Sequence, residues 1–275
     1  MKVPLPGPVR RRVGEWRYGH NLLFRRRTPG WPINDGFIDV ETCGVSFRVP
    51  ASWRGDLAYQ MATNHDSIKE FASLVRVAAA GDGVLFDVGA FHGLFTVAFC
   101  CARPDNRSVL FEPSPVPRAD WEQLLSANGI GSRCEARPVA VGAAEGSCLA
   151  TVQPPGFATL VTTAASNTYE VPMVTLDAEV ERLGYAPTLL KIDVEGNELD
   201  VLRGAAGLIR QHRPHIFLEL HLDALRRRGA DPRAAGDLLD SWGYRVRSHA
   251  GRRVRPWMLS VSPKAVLRLE ATPAT

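Results

Sequence analysis

Several features are missing from this chain of 275 residues, and each absence removes a class of protein. Its five cysteines, Cys43, Cys100, Cys101, Cys134 and Cys148, are odd in number and include no CxxC pair. Neither a disulfide framework nor a zinc site follows from such spacing. Reduced, mostly buried thiols and a cytoplasmic setting are expected. There is no GxxxxGKS or GxxxxGKT phosphate loop, no clear GxGxxG fingerprint and no internal repeat. No continuous apolar segment precedes a cleavage site near the N-terminus, so no secretory leader is expected. The most apolar stretch, Val84 to Ala102, contains Asp87 and His92 and is interrupted by Gly89 and Gly93. A strand, a glycine turn and a helix explain it better than a membrane span.

What remains is ordinary globular composition, with 45% hydrophobic and 23% charged residues. The net charge of +4 is unevenly spread, because Lys2, Arg10, Arg11, Arg12, Arg17, Arg25, Arg26 and Arg27 crowd the start against Glu15 alone. A basic arm can touch nucleic acid or anionic lipid. No aromatic ladder or zinc-finger spacing accompanies it, so a solvated terminus is the favoured reading and nucleic acid is disfavoured as a partner.

After an irregular start, Phe37 to Glu41 and Val45 to Val49 alternate apolar and polar residues around Cys43-Gly44, which predicts a β-hairpin. A helix from about Ser67 to Ala80 presents Ile68, Phe71, Leu74 and Val75 on one face. From residue 81 the pattern becomes strand, helix, strand, helix. Strands are expected at Val84-Leu85-Phe86, Ser108 to Phe111, Cys134 to Val141, Val171 to Val174, Thr188 to Ile192 and His215 to Leu220. Helices are expected at Leu94 to Ala102, Pro117 to Ala127, Leu176 to Leu183, Glu198 to Gln211 and Pro232 to Trp242. Two closing strands at Tyr244 to Val246 and Ala265 to Leu269, with no helix between them, predict an antiparallel hairpin at one sheet edge. The fold class is therefore α/β, a mostly parallel sheet covered on both faces. Residues 1–80 (basic arm, hairpin and helix) are expected to contribute to an acceptor pocket, and 81–275 to form a ligand-binding domain.

The segment Asp87-Val88-Gly89-Ala90-Phe91-His92-Gly93 is the most informative. Gly89 permits a tight turn and Gly93 a close helix approach, where doubly wound sheets bind ligands. Asp87, two residues before Gly89, would repel a pyrophosphate at this turn. It would favour the ammonium and sulfonium of S-adenosylmethionine. Glu112, at the end of the next strand, stands where an acidic side chain accepts ribose hydroxyls. A second constellation follows at Lys191-Ile192-Asp193-Val194-Glu195-Gly196, where an apolar strand ends in two carboxylates of matching orientation.

At this point the sequence resembles the FkbM family of methyltransferases, through DVGAFHG at Asp87 to Gly93, FEP at Phe111 to Pro113, and LLKIDVEGNELDVLRGA at Leu189 to Ala205. RPHIFLEL at Arg213 to Leu220 extends the likeness, which runs from about residue 37 to 222. The resemblance implies a Rossmann-like class I methyltransferase fold, S-adenosylmethionine as donor and O-methylation of specialised metabolites or glycans. It carries donor contacts onto Asp87, Gly89, Gly93 and Glu112, and a place beside donor and acceptor onto Asp193. Ala90, Phe91 and Pro113 flank these positions as further donor neighbours, and Val139 and Ala140 are expected beside adenine. Phe91-His92 departs from the smaller, polar pair more typical of the family, which leaves the side-chain contacts of His92 open.

Methyl transfer to an alcohol requires positioning and removal of a proton. Asp193, Glu195 and His221, each after a central strand, are the candidate catalytic groups. Asp193, Glu195 and Glu219 could gather Mg²⁺ only if they converge, and no metal is expected to be essential. A small-molecule or glycan acceptor is expected, approached by the hairpin, the helix near Asn64 to Arg76 and a mobile loop from about Gln153 to Asn167. Two other readings are a non-catalytic binding module on the same fold and a nicotinamide-dependent oxidoreductase, the latter opposed by Asp87.

Overall fold

The computed structural model describes residues 33–58, 65–153, 156–249 and 251–274. The expected basic arm at the start of the chain lies outside the described residues. Strands β1 (Ile33–Asn34), β2 (Phe37–Thr42) and β3 (Val45–Pro50) form a small antiparallel sheet containing the expected hairpin. Helices α1 (Arg54–Ala58) and α2 (His65–Ala80) follow, then β4 (Val84–Val88), α3 (Leu94–Ala102), β5 (Arg107–Phe111), α4 (Pro115–Ala127) and β6 (Cys134–Arg137). The chain next forms β7 (Ala140–Val141), β8 (Gly146–Gln153), β9 (Phe157–Val161) and β10 (Thr168–Val174). After these come α5 (Leu176–Leu183), β11 (Leu189–Ile192), α6 (Glu198–Arg203), α7 (Ala206–His212) and β12 (His215–His221). The last elements are α8 (Leu222–Arg227), α9 (Arg233–Ser241), β13 (Tyr244–Ser248), α10 (Pro256–Val261) and β14 (Val266–Pro273).

The main sheet has seven strands in the order β13-β14-β12-β11-β4-β5-β6. Neighbours from β12 to β6 pair in parallel, while β14 lies antiparallel between β12 and β13. This is the Rossmann-like class I arrangement, with its antiparallel pair at one edge. The central strands read as unbroken apolar runs because both faces are covered. One face packs on α6, α7 and α9, burying Leu190, Ile192, Val201, Leu202, Ile216 and Leu218. The other packs on the hairpin, α2 and α3, burying Phe47, Phe71, Leu74, Val97, Phe99 and Phe217. Asn128 ties the hairpin to the end of α4, accepting from Arg48 N at 2.7 Å and donating to Arg48 O at 2.8 Å.

Four expectations are corrected. Residues Gln153 to Asn167, read as a loop, contribute to a second sheet, β7-β10-β8-β9, whose half-exposed strands carry too little apolar alternation to show in the sequence. The single helix over Glu198 to Gln211 is two helices. Asp177 accepts from Gly207 N and Leu208 N and so caps a new start, while Gly204 O turns to Asp177 N. A six-residue helix, α10, interrupts the closing strands. Of the cysteines only Cys100 is buried, and Cys43 is exposed.

The chain order places a topological switch between β4 and β11: connections from β4 go to β5 and β6 on one side, and the chain returns to β11 on the other. Ligands bind outside the carboxyl ends of the strands at such a point. Here the turn after β4 meets the turn after β11 directly. Gly89 sits at φ +79°, and a Cβ on it would lie 1.8 Å from the carbonyl oxygen of Asp193. Replacing Gly89 with Ala therefore forces backbone atoms apart as well as straining φ. The expected cost is roughly 3 kcal/mol or more, read as a lowered urea midpoint; an unchanged midpoint would contradict this packing.

Candidate functional site

A cavity of about 230 Å³ opens at the switch point. Its walls come from the turn after β4, the end of β5, the region after β6, the second sheet, the turn after β11, and α1 with the residues before it. Five carboxylates line it, Asp87, Glu112, Asp193, Glu195 and Glu219, against two fixed cations, Lys191 and Arg268. The excess of negative groups suits a positively charged ligand.

The turn is tightly wired. Gly89 N and Ala90 N both donate to Phe111 O, at 2.9 and 3.1 Å, and Gly93 N donates to Ala90 O at 2.7 Å. Phe91, at φ 46°, donates its N–H to Glu112 Oε2 at 3.0 Å, and its carbonyl accepts from Trp121 Nε1 at 2.9 Å. The amides of Gly89, Ala90, Phe91 and Gly93 are thus engaged within the protein. Glu112 accepts a further bond from Ser114 N at 2.7 Å. A carboxylate has about four acceptor sites, so these two backbone bonds orient Glu112 while leaving capacity for hydroxyl donors. Asp87 accepts from Thr96 Oγ1 at 2.8 Å. Burial raises the Asp87 pKa to about 6, against the opposing effects of the Thr96 bond and Lys191. The donor set therefore fits a cationic, ribose-bearing ligand such as S-adenosylmethionine, and fits a pyrophosphate poorly.

A chain of buried and part-buried charges forms the cavity floor. Lys191 is 1% exposed, with Nζ 3.5 Å from Glu70 Oε1 and 3.3 Å from Asp193 Oδ2. Arg268 reaches Glu70 Oε2 at 3.2 Å and Glu219 Oε1 at 2.5 Å. Burial alone would discharge Lys191, but Asp193, Glu70, Glu219 and Asp87 hold its pKa above the usual range. Asp193 shows the converse: burial opposes its charge, and Lys191, His221 and Arg268 outweigh that effect and lower its pKa. Glu219 is driven well upward by burial and by Asp193.

His221 stands behind the lining residues. Its Nδ1 lies 2.8 Å from Oε1 of the fully buried Glu198, an oxygen that also accepts from Gly196 N at 2.8 Å. Its Nε2 lies 3.4 Å from Glu195 Oε2 and 3.9 Å from Asp193 Oδ1. Burial lowers the His221 pKa, but the Glu198 bond, Asp193 and Glu195 prevail and push it up to about 9. Donor atoms of Asp193, Glu219 and His221 lie within 4.8 Å of one another. Lys191 and Arg268 already place fixed positive charge against two of these three residues.

The expected donor neighbours Asp87, Gly89, Ala90, Phe91, Glu112, Pro113, Val139, Ala140 and Asp193 all line the cavity. Gly93 lies outside the lining; at φ +81° it caps α3, and a Cβ there would press on Leu110 and Leu124. His92 lines the cavity, with its ring tilted against those of Trp53 and Phe91 at centroid distances of 4.4 and 3.9 Å. Sequence reasoning passed over Lys191, Arg268, Glu198 and Trp53, and reached Glu70 and Phe157 only as unnamed members of the two segments expected to approach the acceptor. The one local signal was a lysine inside an otherwise apolar strand, LLKI.

A Methyltransferase FkbM domain model matches residues 87–246, more than half the chain. Methyltransferase 1 of Beauveria bassiana is 29% identical over 147 residues, which make up 45% of this chain and 58% of that protein. Methyltransferase FkbM from Methylobacillus flagellatus superposes with a TM-score of 0.46 at 14% identity, over 80% of this chain and 60% of that one. The SAM-dependent methyltransferase from Agrobacterium tumefaciens gives 0.48 at 10% identity, over 90% and 72%. The matches to the first two thus span about three-fifths of those relatives' lengths.

The raised pKa of His221 has a definite stability consequence. Because it lies above the unfolded value of 6.5, the stabilisation is fully present below about pH 6.5 and is lost as pH rises through about 9. An NMR titration should place the His221 midpoint near 9, and Glu198→Gln should move it downward. A midpoint near 6.5 in both proteins would refute the arrangement.

Proposed function

The chain belongs to the FkbM methyltransferase family, and from that premise we propose that it is an S-adenosylmethionine-dependent O-methyltransferase acting on a hydroxyl of a small molecule or glycan. One observation carries the reading: a cavity at the switch point is lined by five carboxyl groups, while the amides of Gly89, Ala90 and Phe91 are held by acceptors within the protein. S-adenosylmethionine supplies, when bound, a methyl group already activated for displacement, so the protein's task is chiefly positioning. Asp87 and Asp193 would balance the donor's positive groups, and Glu112 would accept from its ribose. Val139 and Ala140 offer an apolar wall for a base.

On the acceptor side, Trp53, Phe91 and Phe157 supply aromatic surface close to Asp193 and Glu195. Aromatic faces cover the apolar face of a ring, and carboxylates accept from hydroxyls. This combination supports a sugar or other polyhydroxylated acceptor. Glu195 would take up the proton that the hydroxyl releases as its oxygen gains the methyl group and the donor's carbon–sulfur bond breaks, leaving a neutral thioether. His221 stands 3.4 Å behind that carboxylate and would hold it in place as an imidazolium, rather than act as the base itself. We assign Lys191, Arg268 and His221 the charge-balancing role that a divalent metal would otherwise fill.

Calorimetry should detect S-adenosylmethionine binding, with affinity rising between pH 5 and 7 as Asp87 ionises through about 6. Asp87→Asn should weaken binding about 10- to 100-fold and flatten that dependence. Binding of NADH, or of neither adenosyl ligand, would favour the oxidoreductase or the inert module instead.

Transfer of labelled methyl groups to a panel of glycosides and simple alcohols tests the acceptor class. Glu195→Gln should lower kcat about 100-fold or more with little change in donor affinity. Exhaustive chelation should leave turnover intact; loss restored by Mg²⁺ would overturn the metal-independent assignment.

A further inference from the structure

The connection from β13 to β14 carries a surface that the methyl-transfer site does not use. No aspartate or glutamate occurs from Ser241 to Ala265, a stretch that holds five arginines and Lys264. Within it α10 turns Leu259 into the core, where Gly236 lies close against Pro256. The opposite side presents Trp257, Met258 and Val261, which are 57%, 36% and 68% exposed. These three make up most of the large exposed apolar residues among those described, and they sit at the helical spacing i, i+1, i+4. Arg252, Arg253, Arg255 and Lys264 flank them, all exposed. Of the nearby acidic groups, Asp231 accepts from Ser260 Oγ at 2.6 Å, Asp66 lies 3.9 Å from Lys264 Nζ, and Asp240 shares a groove with Arg253 and Arg255, where the cations outnumber it.

The topology fixes where this surface lies. β13 is antiparallel to β14, which is antiparallel to β12, so β13 ends on the same side as the parallel strands. The segment from 249 to 265 therefore lies at the carboxyl edge of the sheet, the edge that carries the cavity. Val266, where β14 begins, pairs with His221.

We propose that this edge docks on an anionic lipid bilayer, with Trp257, Met258 and Val261 entering the interfacial layer and the flanking cations facing lipid phosphates. An exposed aromatic and aliphatic cluster ringed by arginine and lysine has the composition of an interfacial anchor. A second copy of the chain is a poor occupant, because a two-fold contact would set these cations against each other. A nucleic acid would meet the charges but leave Val261 and Met258 without an apolar partner. The inference does not depend on the methyl-transfer reading, since docking requires no donor or acceptor.

The test is cosedimentation of the full chain with vesicles of phosphatidylcholine alone or mixed with phosphatidylglycerol. Binding is expected only to the anionic vesicles, and it should weaken with added salt. Each interfacial cation contributes about fivefold to partitioning, so reversing Arg252, Arg253 and Arg255 to Glu should weaken it at least about 100-fold. Val261→Asp should also release the protein. Trp257→Phe should retain most binding but abolish the blue shift of tryptophan emission that vesicles produce. All these side chains are exposed, and an unchanged unfolding midpoint checks that each variant folds. Binding that survives the Arg reversals and Val261→Asp would place the contact elsewhere, for example on the basic residues before 28, and would overturn the proposal. Binding to unstructured RNA but not to vesicles would also overturn it.

Discussion

Lys191 is the constraint on which the rest of this structure leans. An ammonium with 1% exposure cannot persist in the middle of a sheet unless carboxylates surround it. They come from different parts of the chain: Glu70 from α2, Asp193 from the turn after β11, and Asp87 and Glu219 from the strands on either side. Arg268 extends the arrangement to β14 by touching Glu70 and Glu219. Moving α2 off the sheet would leave two buried cations short of a partner. Ion pairing thus makes an element that precedes the Rossmann-like core in sequence inseparable from the floor of the cavity.

The same geometry explains why the cavity is acidic rather than phosphate-binding. At the switch point the turn after β4 comes so close to the backbone of Asp193 that only glycine fits at position 89. That contact and the bonds to Phe111 O and Glu112 take up the turn's amides. A glycine-rich turn is often read as a phosphate cradle. Here its glycines serve backbone packing, and the charge that selects a ligand comes from side chains at the strand ends.

The main sheet was readable from sequence where strands are buried on both faces, as at Leu189 to Ile192 and His215 to Leu220, because burial writes itself as uninterrupted apolar runs. The second sheet was not, since β9 is part-exposed throughout, β8 opens on a glycine and β10 carries Pro172 within it. The break at Gly204 was hidden for a different reason: a Cβ there would meet Gly142 O at 2.0 Å, a close approach between distant segments. Strand-end carboxylates could be picked out by their spacing from the glycine turn. Their partners could not, because Glu70 meets Arg268 and Glu198 meets His221 only after folding.

The surroundings of His221 bear on the role that its position suggests. A histidine after a central strand is a natural candidate for a base. In this structure Glu198 holds one ring nitrogen, while Glu195 and Asp193 face the other, so the ring keeps its proton to about pH 9. A group that retains its proton at neutral pH is better suited to fixing carboxylates than to abstracting a proton. Glu195 and Asp193, which it faces, line the cavity, and with Asp87 and Glu112 they outnumber the lining cations Lys191 and Arg268. Like charges held together destabilise the free protein, and a cationic ligand relieves their repulsion on binding. The cavity is thus least favourable empty, and that electrostatic imbalance itself becomes binding energy for a positively charged donor.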